Sequence, residues 1–225
     1  MTEEFKYFKL AKELNDKHHN FLIENKLHFR GNKNSVSLIS LARETAEKGI
    51  SNIKGIEEAE SILQNQILLE KPKRDTPEKV LQAWLILDSM GNSGQLALKD
   101  NLTFITSELV FANKEEYKLS KQKKDIRNDV LAIDNDNNLC VIELKSSRDN
   151  EVKRQTIEFE KVIMNEREFF HQLVRLYTTK EWNGSIRKIA VWPNTEGKTR
   201  TQEYLNVEEV NYYEKNKDFF FNYNL

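Results

Sequence analysis

Three side chains near the middle of the chain have the types and spacing for phosphate chemistry. They lie in "NDVLAIDNDNNLCVIELK", which runs from Asn128 to Lys145. Asp129 opens one apolar run, and Glu143 and Lys145 close the next. The "NDNN" between the runs is strong turn chemistry, so the stretch reads as a β-hairpin. A turn centred near Asp136 is equidistant in sequence from Asp129 and Glu143, which places the two acids opposite each other in an antiparallel pair. Strand alternation puts Val141, Glu143 and Lys145 on one face, and Ile142 and Leu144 on the other. A one-residue slip of register would undo the cluster.

Two carboxylates held together repel, and a hard dication such as Mg²⁺ or Mn²⁺ relieves the repulsion. Such an ion lowers the pKa of a bound water and neutralises charge growing on a phosphate. A neighbouring lysine is a compact cation able to hold the attacking water or a phosphate oxygen. The set therefore suits phosphodiester hydrolysis. "ELK" alone has little specificity, and a salt-bridge cluster on an edge hairpin is the competing reading. The upstream Asp129, the flanking apolar runs and the order of elements favour the chemical one.

The elements that must position these residues follow from local signals. "TPEKVLQAWLILDSMGNSG" opens a helix with Thr76 as cap and Pro77 in the first position, and Gly91 closes it. "NLTFITSELVF" (101–111) has strand composition, as do "IRNDVLAID" (126–134) and "LCVIELK" (139–145). A long helix is predicted from about 150 to 178, capped by Asp149 or Asn150 and broken around 165. "IRKIAVWP" (186–193) is a further strand. The aromatic tail, from Tyr204 to Phe221, is expected to cover the core as late strands or a short helix. Short connections make the first three strands an antiparallel meander, and the helix before the fourth suits a crossover. The first seventy residues are expected to be mostly helical, with helices over 35–49 and 51–70.

"IRND", the thirteen residues between Asp129 and Glu143, and "ELK", set within helix, three strands, helix and strand, resemble the PD-(D/E)XK nuclease superfamily. The resemblance spans roughly residues 76–193. It implies an α/β fold with a restriction-endonuclease-like core (helix, three antiparallel strands, helix, strand) over 71–225, and leaves 1–70 as a helical N-terminal extension. It also implies that Asp129 and Glu143 bind the metal and that Lys145 is the catalytic lysine. The motif's proline position holds Asn128. The family's first helix often carries a glutamate that reaches the active site. Glu78 has that placement, and Glu108 in "FITSELVF" competes with it. Gln155 matches a glutamine that many members carry on the helix after the Glu-x-Lys strand. The expected activity is Mg²⁺- or Mn²⁺-dependent hydrolysis of phosphodiester bonds, most of all in DNA. The alternative is a nucleic-acid-binding or protein-interaction module that keeps the fold without the chemistry.

Composition bounds these readings. Lys plus Arg is 35 and Asp plus Glu is 36, a net charge of −1, so affinity for nucleic acid must come from local patches. Lys121, Lys123, Lys124 and Arg127 form one beside the proposed site, suited to phosphate-backbone contacts. "WPNTEGKTR", with Lys198 and Arg200, is a second. The single cysteine, Cys140, lies in an apolar run and reads as a buried thiol in a reducing compartment. No apolar run approaches the ~18 residues that span a bilayer, and the N-terminus lacks a signal-peptide core, so a cytoplasmic protein without a membrane partner is expected. Residues 1–70 carry no catalytic signature; substrate recognition, homodimer formation and partner binding are the roles open to them. His18 and His19 are adjacent and make a poor metal pair on a helix. "DNDNN" resembles a calcium loop only superficially, because Leu139 and Lys145 stand where Gly and a bidentate Glu are needed. Trp84, Trp182 and Trp192 read as packing residues.

Overall fold

A computed structural model describes residues 5–46, 48–65, 76–98, 101–112, 125–147, 151–194 and 206–223. The fold is mixed α/β, with a three-stranded antiparallel sheet and a six-stranded mixed sheet. The chain divides into two compact units, 1–95 and 96–225.

The first unit contains helices α1 (Lys6–Lys17), α2 (His19–Glu24), α3 (Ile56–Gln64) and α4 (Pro77–Gly91) and strands β1 (Leu27–Gly31), β2 (Val36–Ser40) and β3 (Gly49–Ile53). The α1 stripe of Leu10, Ala11 and Leu14 packs with Phe29, Val36, Leu38 and Ile53 from the sheet and Ala59 and Leu63 from α3. Asn15 of α1 bonds both backbone groups of Phe29, donating to its carbonyl at 2.7 Å and accepting from its N–H at 2.9 Å. That satisfies backbone polarity on an edge strand.

Two sequence expectations are corrected in this unit. The 35–49 segment is not a helix: it holds β2, a 3-10 turn at Arg43–Thr45 and the first residue of β3. The 51–70 segment divides between the end of β3 and α3, and residues 66–70 lie outside the described residues. The unit is therefore not a purely helical extension. All five residues of β2 are buried, so a central strand here shows none of the alternation that marks a half-exposed one. Gly49 is not a helix stop. A Cβ there would lie 2.0 Å from the Leu38 carbonyl oxygen, so the residue permits close strand approach. The α4 helix starts and ends as expected, with Pro77 in its first turn. Thr76 occupies the cap position without a side-chain cap bond.

The second unit holds the six-stranded sheet, in the order β4 (Thr103–Phe111), β5 (Ile126–Ile133), β6 (Leu139–Leu144), β7 (Ile186–Pro193), β8 (Glu208–Lys215), β9 (Asp218–Tyr223). β4, β5 and β6 are antiparallel, β7 runs parallel to β6, β8 parallel to β7, and β9 closes antiparallel. The helical crossover comprises α5 (Glu151–Asn165) and α6 (Arg167–Tyr177), broken at Glu166. The meander, the crossover, the helix break and the late strands all match the sequence expectation. Every residue of β6 is buried, Glu143 included. The crossover is fixed by an aromatic cluster: Phe111 of β4 stacks on Phe170 at 5.8 Å and meets Phe159 and Phe169 edge-on. Trp182 and Trp192 are buried, and Trp84 is half-buried.

Candidate metal and phosphate site

The hairpin register positions the site. Val130 pairs with Ile142, Leu131 with Val141, Ala132 with Cys140 and Ile133 with Leu139. The next step outward sets Asp129 against Glu143, as the centre of the turn implies. The turn is held by Asp134, which accepts from the Asn138 N–H at 2.8 Å, from Asn138 Nδ2 at 2.9 Å and from Arg187 Nη1 at 2.9 Å. Burial raises the Asp134 carboxyl, but these donors outweigh it and hold the group below its ordinary value.

At the site end, side chains take over from the ladder. Asp129 Oδ2 accepts from the Leu144 N–H at 2.8 Å, and Asn128 Nδ2 donates to the Ile142 carbonyl at 3.3 Å. The Asp129 and Asn128 side chains both also reach the Glu143 carboxyl. Glu143 is 2% exposed, and its Oε1 has no hydrogen-bond partner. Burial pushes its carboxyl well above the usual carboxylate range, and the charge of Asp129 adds to the shift. Lys145 works the other way, so its charge is felt at the pair. Its main chain is fixed by donation to the Val191 carbonyl at 2.9 Å. Asp129, Glu143 and Lys145 are thus brought together at one end of β5 and β6.

The other expected residues are placed as follows. Gln155 lies near the start of α5, which packs on β5 and β6, and its Oε1 is buried without a partner. Over the neighbouring strand, Val152 of α5 packs on Ala190 and Trp192, and Lys188 pairs with Glu160 at 2.6 Å. Ala190 is the β7 partner of Glu143, so α5 covers the side of the sheet that carries Glu143. Glu78 lies in the other unit, half-buried in the first turn of α4. Glu108 is half-buried on β4, with φ +53°. Its neighbours Ser107 and Leu109 pair with Val130 and Asn128, so it stands level with Asp129. Within this unit, among the described residues, no third His, Cys, Asp or Glu joins the pair closely enough to complete a metal-binding group. Arg127 is exposed on β5, while Lys121, Lys123, Lys124, Lys198 and Arg200 lie outside the described residues.

Asn128 is the residue that the sequence alone undervalues. It is 1% exposed, and its Oδ1 has no partner. The available signal was an amide in an apolar strand directly before Asp129.

The donor set fits a hard dication in chemistry: two touching carboxylates, one with an unpartnered buried oxygen, beside a lysine. No protein-family model matches the sequence, and no curated protein is significantly similar to it. Among the described residues, no helix is long and apolar enough to cross a membrane.

Proposed function

We propose that the protein is a divalent-metal-dependent nuclease that hydrolyses phosphodiester bonds, most of all in DNA, on a restriction-endonuclease-like core of the PD-(D/E)XK type. The observation that carries this reading is the Asp129–Glu143 carboxylate pair, buried at Glu143 and flanked by Lys145. A carboxyl this deep beside a second acid is destabilised unless a cation or a proton joins it. The meander followed by a helical crossover to a parallel strand agrees with the same core.

In this reading Asp129 and Glu143 hold Mg²⁺ or Mn²⁺. The ion, when bound, supplies an activated water and charge neutralisation at the phosphate. Lys145 orients the attacking water or contacts a phosphate oxygen, and Gln155 fixes the surrounding hydrogen bonds. Asp129 is itself oriented by the Leu144 N–H, which fixes the direction of its carboxyl toward Glu143. Glu108, level with Asp129 on β4, is the candidate for an additional acid within this unit. Arg127 and the lysines at 121, 123 and 124 are assigned to the phosphate backbone, with the protein acting in the cytoplasm and homodimer formation an open role for the first unit.

The second reading is a binding module that keeps the fold without chemistry. It is favoured by the two-carboxylate set, since among the described residues no group of three metal-ligating side chains forms. Mn²⁺ titration separates the readings. Asp129-dependent Mn²⁺ binding, together with cleavage in a panel of linear, circular, branched and single-stranded nucleic acids, supports the enzyme. Nucleic-acid binding indifferent to metal and to Asp129→Ala supports the module.

A further inference from the structure

We infer that Asn128 supplies a third oxygen donor, Oδ1, to the cation site of Asp129 and Glu143. The inference rests on the metal-site reading above and goes beyond it, because the motif's position before the aspartate is a proline, which has no side-chain donor atom. Asn128 is 1% exposed, and its amide orientation is fixed by chemistry. Nδ2 faces the Ile142 carbonyl at 3.3 Å and also reaches the Glu143 carboxyl. Turning the amide over would set its oxygen against two acceptors. Oδ1 is therefore the atom left over, and it is buried with no hydrogen-bond partner. Glu143 Oε1 is a second buried oxygen in the same condition.

An unpartnered buried amide oxygen is unfavourable unless something engages it. Hard dications accept amide carbonyl oxygens alongside carboxylates in their oxygen shells. Asn128, Asp129 and Glu143 then form a three-oxygen set from two adjacent strands. This set accounts for a site with only two carboxylates, and the amide adds a ligand without a third negative charge to repel the others.

The test is Mn²⁺ binding to the full chain, followed by the paramagnetic resonance signal of free Mn²⁺, with folding checked by thermal melts. Asn128→Leu keeps the shape and removes the oxygen, and it should weaken Mn²⁺ binding about tenfold or more. Asn128→Asp keeps an oxygen and loses the Nδ2 donor, and it should bind Mn²⁺ as tightly as wild type or more tightly. Wild-type affinity in Asn128→Leu overturns the inference. Weakened binding in Asn128→Asp also overturns it, because that result assigns the residue's role to its donor; this variant decides the matter if Asn128→Leu does not fold. Asp129→Ala is the control. If it binds Mn²⁺ like wild type, the metal-site reading itself fails, whereas loss in Asp129→Ala with no change in Asn128→Leu removes only the role of Asn128.

Discussion

The carboxyls of Asp129 and Glu143 meet where β5 and β6 stop pairing, and Asp129 is aimed there by the Leu144 N–H at 2.8 Å. A buried acid is thereby held against a second acid, an arrangement that is unfavourable for the ionised carboxyl.

Glu143→Gln should stabilise the metal-free protein at neutral and alkaline pH. The folded-state pKa of Glu143 lies well above the ordinary carboxylate value, so its contribution to stability is complete below that ordinary value and is lost as pH rises through the folded one. The glutamine has no proton to lose and escapes that decline. Thermal melts in a chelator should show a gain on the order of 1–2 kcal/mol at pH 8, closing on acidification. A difference that does not depend on pH would mean that Glu143 is not held protonated by its surroundings.

Metal affinity should rise with pH. The Glu143 proton must leave before its oxygens can ligate, so Mn²⁺ binding releases a proton below the folded pKa. Calorimetry at a series of rising pH values should show affinity climbing by up to about tenfold per pH unit for as long as Glu143 binds its proton in the metal-free protein. The slope should disappear in Glu143→Gln. An affinity flat throughout in wild type would place the ion elsewhere.

Cys140 should be inert in the native state. Burial pushes its thiol up to about 12, with the Asp134 charge adding to the shift. The thiolate is the reactive form, so alkylation at pH 8 should be at least about a hundredfold slower in the folded protein than in urea. Equal rates would show that the end of the hairpin near the turn opens readily.

The legible parts of the fold were those where local chemistry sets geometry. The "NDNN" turn fixed a hairpin register that could be counted outward to Asp129 and Glu143, and the paired ladder runs to Val130–Ile142, one step short of them. Pro77 and Gly91 marked α4 for the same reason. The β2 strand was obscured because "VSLIS" is buried on both faces and its sequence lacks period two. Gly49 looked like a helix stop, while its real constraint is the backbone of another strand, which local sequence does not contain. At the site, residue types and register were readable, but the burial of Glu143 and the unpartnered oxygen of Asn128 arise from packing between strands and helix. The left-handed backbone of Glu108, level with Asp129, had no sequence signature either.

The most direct test of the proposed activity compares DNA cleavage by wild type and Lys145→Ala at saturating Mn²⁺, with Mn²⁺ binding measured on the same samples. Lys145 is assigned to the water and the phosphate, not to the ion. Wild type should cut, and Lys145→Ala should lose cleavage by about a hundredfold or more while its Mn²⁺ affinity stays within a few-fold. Cleavage undiminished in Lys145→Ala, or no cleavage by wild type on any DNA substrate despite bound Mn²⁺, would contradict the account.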